Sequence, residues 1–172
     1  MLLSDVFPRN QLKGYQMQWT HFGKSEAKSG LRAWKRWWVE IALIADSSFV
    51  IDLMREHEEA LKKLAEIREN NRLQYIASPT VMELAVGVAL ADLPTQEQEK
   101  IDDILTGFQV IPLDTDCAWR AGIETGILRK NGKITDPIDG QIAGIALQNE
   151  EPIVTRNLKH FELFEGLQVE TY

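Results

Sequence analysis

One cysteine in 172 residues, Cys117, excludes an internal disulfide framework and fits a reducing compartment. The three histidines, His21, His57 and His160, lie far apart, and without a CxxC spacing they give no zinc signature. No apolar run approaches the roughly 20 residues of a membrane-spanning helix. The N-terminus also lacks the charged, apolar and small-residue segments of a secretion signal. The sequence therefore reads as a cytoplasmic protein with no membrane partner. A Gly-rich phosphate loop, a nucleophile elbow and a Ser/His/Asp arrangement are missing too, which removes common nucleotide-binding and acyl-transfer classes. Basic residues are outnumbered, 19 against 26 acidic ones, so a net charge of −7 gives no broad footprint for nucleic acid.

That charge is uneven. Residues 1–40 hold seven Lys and Arg against three Asp and Glu, a balance of +4 that leaves −11 for the rest. They also hold four of the five tryptophans, Trp19, Trp34, Trp37 and Trp38, with no sustained periodicity. This atypical basic, Trp-rich extension has three readings: a disordered segment, an arm that stacks on RNA bases, or a misassigned start with translation beginning near Val39. Residues 41–172 read as one domain, long enough for a sizeable core.

From Ile41 apolar runs and amphipathic stretches alternate. Ile41-Ala42-Leu43-Ile44-Ala45 reads as a buried strand that turns at Asp46-Ser47-Ser48 into a helix over 47–54. Further helices are expected over 58–71, 78–91, 94–105, 114–130, 139–149 and 157–164, and strands over 73–77, 110–113, 152–155 and 167–170. Leu61, Leu64, Ala65 and Ile67 form the buried stripe of the second helix, Ser78 caps the third, and Asn131-Gly132 ends the helix begun at Asp114. Strands alternating with helices imply a three-layer α/β/α domain on a mostly parallel sheet.

Acidic residues stand out against this frame. Glu83 is the only charge between Pro79 and Leu90, in a helix apolar almost all round and therefore expected to be buried. A carboxylate there needs a salt bridge, a hydrogen-bond partner or a metal. Asp139 opens a Gly- and Ala-rich helix suited to close packing against a sheet, and Asp136 lies three residues earlier. Asp46 and Asn157 each follow a buried strand and precede a helix. Every one of these except Glu83 could be only a helix cap. Together they put several oxygens at the carboxyl ends of parallel strands, where a divalent cation such as Mg²⁺ or Mn²⁺ binds. Asp114 and Asp116 open a helix and read as caps.

As a set, Asp46-Ser47-Ser48, Glu83, Asp139-Gly140-Gln141-Ile142-Ala143 and Thr155-Arg156-Asn157, followed by His160-Phe161 and Gly166-Leu167-Gln168-Val169, resemble a PIN domain. They are most similar to the VapC toxins of prokaryotic toxin–antitoxin pairs, over about residues 41–172. The resemblance implies a five-stranded, mostly parallel sheet with helices on both sides, and a Mg²⁺- or Mn²⁺-dependent endoribonuclease. Asp46, Glu83 and Asp139 match its principal acidic positions. Asn157 falls where members carry Asp or Asn, Ser48 and Thr155 match the neighbouring hydroxyls, and Asp136 is a plausible additional acid. Arg156, Lys159 and Lys130, with Arg129 and Lys133, are candidates to steer the RNA backbone, or ordinary surface charges. The implied partners are an RNA substrate, a VapB-type antitoxin covering the site and a second copy in a homodimer. Two rivals stay open: a catalytically weak PIN-like module that binds RNA or protein, and a Mg²⁺-dependent phosphatase or phosphoacceptor domain, which Ser47 and Ser48 fit poorly.

Overall fold

A computed structural model describes residues 42–172. The expectations placed on residues 1–40 lie outside the described residues.

Five short strands form one sheet: β1 (Leu43–Ala45), β2 (Gln74–Ala77), β3 (Gln109–Ile111), β4 (Ile153–Val154) and β5 (Val169–Glu170). Their order is β3-β2-β1-β4-β5, and every neighbouring pair is parallel. Leu43, Ile44 and Ala45 are fully buried, because a central parallel strand is covered on both faces. Ile44 is opposite Tyr75 on one side and Ile153 on the other. The chain leaves β1 toward β2 and β3, then returns past it to β4 and β5. Diverging connections on the two sides of one strand open a crevice at the carboxyl ends, here beyond Ala45 and Val154.

Among the described residues, seven helices accompany the sheet: α1 (Ser47–Met54), α2 (Glu58–Glu69), α3 (Ser78–Leu90), α4 (Pro94–Leu105), α5 (Thr115–Lys130), α6 (Pro137–Asn149) and α7 (Leu158–Phe161). One layer contains α5, α6 and α7, whose Cys117, Leu128, Ile142, Ile145 and Phe161 pack with Ile44 and Ile153 of the sheet. The other contains α1, which packs on α2, α3 and α4. Together they make the expected three layers. Among the described residues, no helix is long and apolar enough to cross a membrane.

Local details differ from expectation for physical reasons. β2 runs into α3 without an intervening residue, so the cap position falls on Ala77; Ser78 lies inside the helix, and its Oγ accepts a bond from Leu113 N at 3.0 Å instead. On α2 the buried stripe is Ala60, Leu64 and Ile67, while Ala65 is exposed and Leu61 half-buried. The glycines of α6 serve helix-on-helix rather than helix-on-sheet packing. A Cβ at Gly144 would collide with the side chain and backbone of Ala121, and one at Gly140 would lie 2.7 Å from Thr125 Oγ1. The helix α5 ends as expected, with Gly132 at φ 72° just beyond it.

The largest departure is α3. Only Pro79, Thr80 and Leu84 are buried, while Met82, Val86 and Leu90 are 49%, 53% and 82% exposed. All-round apolarity marks a helix that is uncomfortable in water on every side. It does not ensure that its own chain covers every side.

Candidate active site

Asp46 follows β1 directly and occupies the N-cap position of α1, yet its side chain makes no capping bond. Its carboxylate is 2% exposed and is turned toward two hydroxyls. Ser48 Oγ and Thr155 Oγ1 each lie 2.8 Å from Oδ2. The single proton of each hydroxyl is then committed. Each gives its one proton to Asp46, while Ser48 Oγ accepts from Arg156 N at 3.1 Å and Thr155 Oγ1 accepts from Asn157 N at 2.9 Å. Among the described residues, Oδ1 has only Ser47 Oγ as a hydrogen-bond partner, at 3.5 Å. The network works because β1 and β4 are hydrogen-bonded neighbours, bringing residue 155 beside residue 46.

Glu83 projects from the second turn of α3, half-buried. Its Oε2 is shut off from solvent with no hydrogen-bond partner among the described residues. Burial pushes its carboxyl up to about 7; the charges of Asp46, Asp139 and Asp136 add to the rise, and a hydrogen bond from Ser47 offsets part of it. Of the three options for this carboxylate, no salt bridge is present among the described residues. A buried oxygen without a donor, held among like charges, is the arrangement a cation relieves.

Asp139 falls in the first turn of α6, because that helix begins at Pro137 rather than at Asp139 itself. Burial raises its carboxyl above the ordinary range, Asp46 and Asp136 add to that, and His160 opposes it. His160 Nδ1 is 2.9 Å from Asp139 Oδ2. This histidine was not among the expected site residues; its position three residues past Asn157, on the same strand-to-helix exit, was the available signal.

The remaining candidates divide. Asp136 caps α6, accepting from Ile138 N at 2.7 Å, and adds to the negative field on Glu83 and Asp139. Asn157 is exposed, and its side chain does not cap α7. Asp114 caps α5 through Cys117 N, as expected. Lys159 is exposed on α7 next to His160, and Lys130 is exposed in the last turn of α5. Arg156 is different: its Nη1 donates to both oxygens of buried Asp52, at 2.9 and 2.7 Å, while its side chain stays 54% exposed.

Among the described residues, no three carboxylate, imidazole or thiol groups stand close enough together to hold a metal ion as they are. The donor chemistry nevertheless fits one. Asp46, Glu83 and Asp139 offer only oxygens, the charges of Asp46 and Asp139 raise the proton affinity of Glu83, and one buried oxygen is unpaired. Hard divalent cations are bound by such sets, with water completing the shell.

Comparison with known proteins gives the same direction. The PIN domain family model matches residues 43–165. A tRNA(fMet)-specific endonuclease VapC of Shigella flexneri is 31% identical over 114 residues, covering 64% of this chain and 86% of that protein. A DNA-bound VapBC from Salmonella typhimurium superposes with a TM-score of 0.69 at 26% identity, over 76% of this chain and 98% of that one. VapBC2 from Rickettsia felis, bound to a fragment of its promoter, shares the fold with a TM-score of 0.72 at 23% identity, over 77% and 99%. The chain belongs to the PIN-domain family and, within it, stands with the VapC-type proteins.

Proposed function

We propose that this chain is a metal-dependent endoribonuclease, the toxin of a cytoplasmic toxin–antitoxin pair. The observation that carries the reading is Glu83: a buried carboxylate with an orphaned oxygen, held among Asp46, Asp139 and Asp136 at the switch point of the sheet. The VapC relative of Shigella flexneri, named as an endonuclease acting on tRNA, supports RNA as the substrate class.

Asp46, Asp139 and Glu83 would hold one or two Mg²⁺ or Mn²⁺ ions. Such an ion supplies an activated water and stabilises charge on the phosphate and the leaving oxygen. The protein's own contribution is orientation. Ser48 and Thr155 occupy Oδ2 of Asp46 and leave Oδ1 as its open donor. His160 holds Asp139 by one oxygen in the same way. Glu83, poised near neutral pH, can hold a proton when no cation is present and release it when one binds. Lys159 and Lys130, with Arg129 and Lys133, are exposed cations that would attract a polyanion toward this acidic centre.

Partners are read from the surface. Met82, Val86 and Leu90 on α3, with Leu93 beyond it, and Trp119, Ile123 and Ile127 on α5 are large apolar side chains left in water. Two such strips suit two protein partners, a VapB-type antitoxin and a second copy of this chain. That two similar structures are VapBC assemblies supports the first.

The test is cleavage of a mixed RNA pool with Mg²⁺ or Mn²⁺ by the wild type and by Asp46→Asn, both freed of bound partners and checked for folding. Cutting by the wild type alone supports the nuclease. Equal cutting by both proteins removes the Asp46-based site, and cutting by neither removes the nuclease and favours a binding module.

A further inference from the structure

Asp52 is 2% exposed, as deeply buried as Asp46, yet the proposed chemistry does not use it. It is the only charged residue of α1. A carboxylate withdrawn so far from water must be compensated. Two donors do this. Arg156 Nη1 bonds to both oxygens, and the hydroxyl of Tyr172 donates to Oδ2 at 2.9 Å. Tyr172 is itself braced against Phe49, with ring centroids 5.0 Å apart at 60°, and Phe49 is a wholly buried residue of the same helix.

The backbone of Arg156 faces the other way. Its N–H donates to Ser48 Oγ, which donates in turn to Asp46 Oδ2. The residues on either side join the same network, Thr155 through its hydroxyl and Asn157 through its N–H. The three-residue segment that supplies half of the hydroxyl network is therefore tied to Asp46 on one side and to Asp52 on the other.

We propose that Asp52 is a positioning residue: with Arg156 and Tyr172 it locks the segment 155–157 so that the hydroxyls of Ser48 and Thr155 stay aimed at Asp46. The catalytic part of this rests on the nuclease reading above. It also assigns Arg156 a structural partner in place of an RNA phosphate.

The test uses the full chain and four variants: Asp52→Leu/Arg156→Met, Arg156→Met, Arg156→Lys and Tyr172→Phe. The double variant removes both charges together, so no buried charge is stranded. Thermal unfolding checks the fold. The readouts are kcat and KM on RNA at saturating Mn²⁺, the Mn²⁺ dissociation constant by electron paramagnetic resonance, and amide exchange at Arg156 and Asn157. A folded double variant should lose about 10–100-fold in kcat or Mn²⁺ affinity, as supporting groups around metal sites do. KM should be unchanged and both amides should exchange faster. Arg156→Lys should keep most activity, because one nitrogen serves both carboxylate oxygens and an ammonium can do the same. Tyr172→Phe should shift exchange in the same direction by less. Wild-type kcat and Mn²⁺ affinity in the folded double variant would overturn the proposal, as would a raised KM with unchanged kcat, which would make Arg156 an RNA contact. Should the wild type neither cut RNA nor bind Mn²⁺, the nuclease reading fails on its own; faster exchange in the variants then still supports the lock, and unchanged exchange overturns it.

Discussion

Thr155 Oγ1 and Asp46 Oδ2 are 109 residues apart in sequence and 2.8 Å apart in space. Their bond joins the carboxyl ends of two neighbouring strands at the point where the chain reverses its progress across the sheet. Thr155→Val keeps the shape and removes the donor. With Oδ2 of Asp46 then served by Ser48 alone, the variant should lose about 1–3 kcal/mol of stability, the range for a buried group left short of a bond. RNA cleavage should fall by about tenfold or more. Thr155→Ser should retain both properties. Chemical denaturation and initial cleavage rates check this pair.

Glu83 makes stability depend on pH. Its folded carboxyl titrates near 7, above the unfolded value of 4.5, so the native state binds the proton more tightly. Its contribution is fully present below the unfolded value and is lost as pH rises through 7. Allowing for solvent screening of a half-buried group, the metal-free protein should lose about 1–2 kcal/mol between pH 5 and pH 8. Glu83→Gln should flatten this part of the profile and be more stable than wild type at pH 8. Urea titrations in chelator at several pH values measure it.

The same proton opposes the metal. Mn²⁺ affinity should rise between pH 6 and pH 8 and level off above, with a proton released on binding that is absent in Glu83→Gln. Calorimetry in two buffers of different ionisation enthalpy counts that proton. Chelator should abolish cleavage, and Mn²⁺ should restore it.

Gly144 is set where α6 meets α5 backbone to backbone, leaving no room for a methyl group beside Ala121. Gly144→Ala should therefore cost about 1–3 kcal/mol by overpacking. Because α6 carries Asp139, cleavage should fall further than the lost stability accounts for. Gly87→Ala offers the control: nothing lies near its Cβ position, and alanine favours the helix. It should leave folding intact or improve it.

Leu90 and Val86 expose apolar surface that an isolated subunit has no reason to keep. A double change to glutamate should shift the oligomeric state toward monomer, read by light scattering, while leaving the unfolding midpoint of the monomer within a few degrees. An unchanged mass would assign this strip to the antitoxin instead.

The sequence made the sheet legible because five apolar runs were punctuated by helix starts, and central parallel strands must be apolar on both faces. It made Glu83 legible because a lone charge in an apolar helix demands a reason. Asp52 carried the same signal in Ser47–Met54 and was not read, its partners being 104 and 120 residues away. Such pairings are set by tertiary structure and leave no trace in local spacing. The exposure of α3 was hidden for another reason: apolarity reports what a surface avoids, not which molecule helps it do so. The partner of Arg156 was not legible either, because charge is visible in a sequence and its compensation is not.

Since β1 is completed on one side by β2 and on the other only by β4, a chain emerging from the ribosome builds its first strand long before the strand that finishes it. Until residues 153–157 arrive, Asp46 lacks the threonine hydroxyl and Ser48 lacks the backbone amide that it accepts from. A nascent copy thus lacks part of this hydroxyl network until β4 and the residues after it have been made. The topology itself ties completion of the Asp46 network to a strand made more than a hundred residues later.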